Sequence, residues 1–344
     1  MVAVVGTTQF ALQLDVTRSI RLLNLELNRQ NQQLGSGRIV DGLVGVSSQA
    51  LELGQLKSQL GTVDNYKAGV EIVQNRVDIY AFTIEEIIDV ATEAQDMMIK
   101  NRDPFFATTA APRAQAEVLL DRIGNLLQVK DGDRFLFAGT NYTQNPINGS
   151  LAELPTAYAA GAVPGAAFTP VTAIADYPLG AYADETEFFL NPAIPADYDN
   201  FFDTAGTTLY SDDAEQVTYG VAAGEAGFQR LIDAVIRFRD ATADVVTAPN
   251  TYQLRVDDAR DQVLTALTEL KSIASRNGYK QQQLKEIQQR HDRSMDVLRT
   301  RIGGIENADI AEVSVNIKNL QTSLEASYVI TRDSLQLSLV NFLR

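Results

Sequence analysis

From Leu56 to Met98 the apolar positions recur in alternating steps of four and three: Leu56, Leu60, Val63, Tyr66, Val70, Val73, Val77, Tyr80, Ile84, Ile87, Ala91, Ala94 and Met98. That is the signature of a helix keeping one seam toward a partner. At 1.5 Å per residue such a helix is roughly 60 Å long. Asp64, Lys67, Glu71, Asn75, Asp78 and Glu85 fall off the seam, as a solvated face requires. A rod of this length needs other rods to bury its stripe.

The chain supplies them at both ends. A first helix is expected from Thr7 or Thr8 to Leu34, with Val16, Ile20, Leu23 and Leu27 in its seam, and Gly35-Ser36-Gly37 stopping it through a left-handed turn. Ser47 or Ser48 is a candidate cap for the long rod, and Pro104 follows its end. Pro112 suits the first turn of a third helix with seam Leu119, Ile123 and Leu126. Lys130 to Asp133 reads as a turn, and Arg134 to Thr140 as a short apolar strand closed by glycine.

Helical spacing returns with Phe228, Leu231, Ile232, Val235 and Ile236. After Pro249 a second very long stretch carries Leu264, Leu267, Leu270, Leu284, Ile287, His291, Leu298, Ile302 and Ile305. Beyond Asn307-Ala308-Asp309 the seam is Ile310, Val313, Ile317, Leu320, Leu324, Tyr328, Thr331 and Leu335.

Between about 140 and 222 the pattern breaks. Seven of the ten prolines and seven of the twelve tyrosines lie there, and from Phe135 to Gln229 twelve Asp and Glu face no Lys or Arg. Phe188, Phe189, Leu190, Phe201, Phe202 and Leu209 give this segment more apolar mass than a disordered tract carries, so short strands and long turns are expected. The fold class is mainly α, with long antiparallel coiled-coil-like rods from both chain ends and an inserted β-rich domain. The expected domains are paired terminal helices at 1–34 and 310–344, a long-helix rod at 35–139 and 223–309, and an acidic, solvent-facing domain at 140–222.

Charge and composition narrow the function. A net charge of -15 on 344 residues argues against a nucleic-acid surface, and the absence of Cys excludes disulfides, thiol catalysis and thiolate metal sites. No apolar run is long enough to cross a bilayer, and Met1 to Arg18 lacks the basic start and small-residue end of a cleaved secretory signal. If exported, the protein takes another route.

Three stretches then carry a family resemblance. Ser36-Gly37-Arg38-Ile39 resembles the linker after the first helix of flagellins, one residue shorter and without the acidic step that usually follows. Gly132-Asp133-Arg134-Phe135-Leu136-Phe137-Ala138-Gly139-Thr140 resembles an element typical of the hook–filament junction type. Ile305 to Asp309, with the helix ending Leu335-Gln336-Leu337-Ser338-Leu339-Val340-Asn341-Phe342-Leu343-Arg344, resembles the shared C-terminal signature. The likeness to the flagellin family covers residues 8–140 and 225–344 and omits the insert.

What the resemblance implies is a non-enzymatic structural subunit of the bacterial flagellum, without cofactors, polymerising as a helical tube outside the cell. Its implied partners are copies of itself, hook or hook-associated proteins, flagellin, the flagellar export apparatus and an export chaperone. It implies no membrane insertion. Filament subunit and junction protein both stay open, with Phe135 to Thr140 leaning to the junction type. The assembly interface expected is Val16, Ile20, Leu23 and Leu27 against Ile317, Leu320, Leu324, Tyr328 and Leu335. The competing class is a binding module or adhesin using the acidic middle on a helical stalk.

Candidate chemistry elsewhere is thin. His291, the single histidine, sits in a seam with no other His or Cys to share a metal and reads as a packing residue. Glu85-Glu86 and Asp212-Asp213 read as solvated charge before acid–base pairs. Asp184, Glu185, Glu187, Asp197, Asp199 and Asp203 could offer oxygens to a cation, without EF-hand spacing. Asn141-Tyr142-Thr143 and Asn148-Gly149-Ser150 match glycosylation triplets that also arise by chance. Gly35-Ser36-Gly37 follows a helix, where a dinucleotide fingerprint would follow a strand.

Overall fold

The computed structural model describes the backbone of residues 3–39, 49–105, 107, 111–147, 151, 206–242 and 245–342, with side chains between 14 and 333. Among these residues six helices dominate: α1 Ala3–Ser36, α2 Ala50–Lys100, α3 Ala111–Leu127, α4 Ala226–Ala241, α5 Pro249–Glu306 and α6 Ile310–Phe342. Two hairpins complete the described fold, β1 Lys130–Asp131 with β2 Arg134–Phe135, and β3 Thr207–Tyr210 with β4 Gln216–Tyr219. The mainly α architecture is the one the periodicity implied.

The contacts divide the chain into two units, Met1–Asp64 with Asp292–Arg344, and Asn65–His291. The division falls inside α2 and α5.

In the central unit, Asn65–His291, α2 and α5 run antiparallel. Asn277 donates from Nδ2 to the Val77 carbonyl at 3.0 Å, Gln281 to Asp78 at 2.7 Å, and Arg102 forks onto Asp257 with both bonds at 2.7 Å. From Val70 to Met98 every heptad position of α2 is buried. Thr83, Val90 and Met97 add a second buried stripe where α3 lies beside it, with Arg122 paired to Glu93 at 2.7 Å. Leu264, read as a seam residue, is exposed; Val263, Ala266 and Leu270 carry the buried face there. The reason is that α5 packs on α4 over this stretch, and Leu264 lies on the side turned away.

The strand expected from Arg134 to Thr140 ends at Phe135. Beyond it the backbone is claimed by other partners. The Leu136 N–H donates to Val129 at 3.0 Å and its carbonyl accepts from the Tyr80 hydroxyl, while the Phe137 carbonyl accepts from Ala223 N–H at 2.8 Å. Phe137 is wholly buried, edge-on to Tyr80 at 5.2 Å and to Phe228 at 5.8 Å. The G-D-R-F-L-F-A-G element is therefore a plug joining α2, the hairpins and the start of α4. Gly132 at φ +60 makes the tight turn between β1 and β2.

The first helix begins at Ala3, earlier than the sequence suggested, and ends as expected, with Gly37 at φ +68. The cap expected at Ser47 or Ser48 lies outside the described residues, as do the acidic cluster from Asp184 to Asp203 and the triplet at Asn148.

Candidate assembly interface

In the terminal unit, Met1–Asp64 with Asp292–Arg344, α1 packs along α6. Its geometry starts at the linker. The Ile39 N–H donates to the Glu306 carbonyl at 2.7 Å and Ala308 N–H to Gly37 at 3.0 Å, with Arg38 and Asn307 bridged antiparallel. The end of α1 is thereby fixed beside the start of α6, so the two helices run antiparallel. Asp309 caps α6, its Oδ1 accepting from Ala311 N–H at 2.9 Å and Glu312 N–H at 3.2 Å. Below the linker a small core of Leu53, Leu56, Leu298, Ile302 and Ile305 closes, with Lys57 paired to Glu306.

The positions singled out in the sequence divide unevenly. Ile317 and Leu324 are buried; Val16, Ile20, Leu23, Leu27 and Leu320 are half-buried. Tyr328 is 53% exposed, and the Leu335 side chain lies outside the described residues. The most buried positions described on α1 are polar: Gln30 and Gln33. Gln30 donates from Nε2 to Glu26 at 2.9 Å, while its Oε1 is enclosed without a partner. Arg29 and then Gln30, bonded to Glu26, hold that carboxyl below its usual range.

Seam reading missed the outward face. Leu14, Leu22 and Leu25 on α1 and Val315, Val329 and Ile330 on α6 are exposed, Leu22 at 58% and Leu25 at 60%. The signal was present as apolar residues off the heptad, the adjacent Leu22-Leu23 and Val329-Ile330 above all. A helix pair that is apolar on both sides has a second surface to cover.

Other candidates resolve into structure. His291 is 4% exposed beside Tyr66, ring centroids 6.5 Å apart, with Nδ1 enclosed and unpartnered. The Tyr66 hydroxyl donates to Asp213 at 2.6 Å, the bond that chiefly raises the phenol pKa, and Arg290 pairs with Glu215, so the β3–β4 turn is pinned to α2 and α5. Asn141 is exposed, donating from Nδ2 to Gln144 at 3.1 Å. Among the described residues no group of three or more His, Asp or Glu is placed to hold a metal, and no helix is long and apolar enough to cross a membrane.

Comparison with known proteins bears on this helix pair. Residues 261–343, which include α6 and most of α5, match the family described as bacterial flagellin C-terminal helical region. A solved chain from Vibrio parahaemolyticus, described as a flagellar hook-associated protein, shares the fold at a TM-score of 0.54 and 9% identity, covering 76% of this chain and 99% of that one. No curated protein matches the sequence.

Proposed function

We propose that this chain, a flagellin-family protein by its C-terminal helical region, is a structural subunit of the bacterial flagellum that assembles through α1 and α6. The observation carrying the proposal is the family match over residues 261–343, which takes in α6, one partner of a helix pair apolar both inside and out. Heterologous contacts between such faces build a helical polymer where the rotation between successive copies does not close a ring. Val16, Ile20, Leu23 and Leu27 with Ile317, Leu320, Leu324, Tyr328 and Leu335 form the interface in this reading. Its neighbours are further copies, hook or hook-associated proteins and flagellin, outside the cell, reached through the flagellar export apparatus with an export chaperone. No chemistry is required of it.

Between junction protein and filament subunit we favour the junction type, because the Gly132–Thr140 element resembles that type. Deleting residues 1–34 and 310–344 should leave a soluble central part that neither forms filaments nor joins a hook or filament end. Assembly by that truncation would overturn the proposal. Gold-labelled antibody to residues 140–222 should mark a narrow band at the hook tip. Labelling along the filament would make it a filament subunit instead.

A further inference from the structure

Where α2 ends beside the start of α3, the two helices leave a groove of about 770 Å³ open to solvent. Met97, Ala111, Ala114, Val118 and Leu119 give it an apolar lining, with Glu93 and Asp96 on the α2 side. Ala111 and Ala114 are too small to fill it, and Val118 is 59% exposed. The helix beside it is strongly acidic. From Val77 to Ile99, α2 has six Asp and Glu and no Lys or Arg. Glu85, Asp89 and Asp96 stand at helical spacing on the outward face that also carries the exposed Phe82. The α3 helix adds two arginines and two acids, so it leaves this charge uncancelled.

The complementary surface lies on α5. From Leu270 to Lys285 it carries Lys271, Arg276, Lys280 and Lys285 and no Asp or Glu. In the middle stands Tyr279, 68% exposed, with the small Gly278 and Ser275 beside it on the helix. A tyrosine brings a large rigid ring to an interface at little cost in side-chain entropy. Set among lysines, it has the shape and charge that an apolar groove edged with carboxylates accepts. It cannot reach the groove of its own chain. Asn277, two residues away, bonds to the Val77 carbonyl at 3.0 Å. Along α2, Met97 is then roughly 30 Å further on.

We propose that Tyr279 of one copy seats in the α2–α3 groove of a second copy, with the lysines around it against Glu85, Asp89 and Asp96. The inference rests on the reading that copies of this chain associate, and adds to the terminal helices a contact made by the central unit. Knob and groove are different surfaces, so the contact is heterologous and passes from copy to copy. The central unit holds 32 Asp and Glu against 18 Lys and Arg, so most orientations of two copies set acid against acid. The cation-only stretch of α5 thereby selects one register, which is what charge does best at an interface.

The chain has no Cys, so introduced cysteines report the contact without background. Ser275→Cys, one turn before Tyr279, and Gln115→Cys, in the groove lining, are made in separate full-length chains. Mixed at high concentration with a short bismaleimide, they should give a linked dimer containing one of each, identified by mass spectrometry. Its yield should fall at least about ten-fold when Tyr279→Ala is added to the Ser275→Cys chain. Lys271→Glu with Lys285→Glu should lower it too. Glu85→Lys, Asp89→Lys and Asp96→Lys in the other chain should then restore it, which a folding defect would not allow. No mixed dimer, a yield indifferent to Tyr279→Ala, or linkage only between two Gln115→Cys chains overturns the contact. Sedimentation of wild type under the same conditions separates the two readings. Filament growth without the mixed dimer sinks this contact alone, and mixed dimer without growth sinks assembly through α1 and α6 alone.

Discussion

The terminal and central units are built from the same rods and end in opposite conditions. In the central unit the α2 seam is closed by α3, α4 and α5, and its apolar residues from Val70 to Ile287 form one continuous core. In the terminal unit α1 has α6 alongside, its seam residues are half-buried, and leucines stand on its outer side. Charge divides the same way. The terminal unit holds 11 Lys and Arg against 12 Asp and Glu; the central unit holds 18 against 32, and so carries nearly all of the net charge of -15. A near-neutral surface with exposed leucines favours association, whereas a strongly acidic one keeps neighbours apart, within about 10 Å at ordinary salt. The comparison teaches that the central unit closes the α2 seam into a core, whereas the α1–α6 pair leaves the seam of α1 only half-buried.

The largest effect should come from breaking the central unit at its plug. Phe137→Ala removes a fully buried ring that touches Tyr80 and Phe228 edge-on, and should cost about 3–5 kcal/mol. Urea unfolding followed by circular dichroism should show the central transition moved to far lower denaturant. A loss below about 1 kcal/mol would mean that the element is surface decoration and that the central core closes without it.

That plug also marks the limit of what was legible. The long helices could be read because their heptads repeat over many turns, so one misplaced residue such as Leu264 changes nothing. Phe135 to Thr140 could not be read correctly as backbone. Its apolar run fits a strand, but the Tyr80 hydroxyl and the Ala223 N–H, distant in sequence, take its carbonyls. The burial of Asp233 and Arg237 on α4 was likewise invisible, because only tertiary pairing makes a charged position an inside position. On α1 the seam was legible but the more telling face was the one outside it. Leu22 and Leu25 break the heptad, and an off-register leucine is easily passed over as noise.

A smaller effect tests how the terminal unit is started. Asp309→Ala removes both cap bonds at the N-terminus of α6 and should destabilise that helix by about 1 kcal/mol. Exchange of the first-turn amides of α6 should speed accordingly, with α2 amides between 70 and 90 unaffected. Equal speeding in both units would show that they unfold as one, against the division drawn by their contacts.

The smallest effect on stability should carry the largest effect on association. Leu22→Gln with Leu25→Gln changes side chains already in water, on a helix that accepts glutamine nearly as well as leucine. The isolated chain should keep its stability to within about 0.5 kcal/mol, checked by its thermal midpoint at low concentration. Mixed at high concentration or with pre-formed ends, the same variant should sediment as monomer where wild type grows. The two readings separate a folding seam from an assembly face, because a residue that mattered to the α1–α6 pair would lower the midpoint first. If the variant assembles like wild type, the outward leucines are incidental, and the half-buried seam must account for association through the terminal unit.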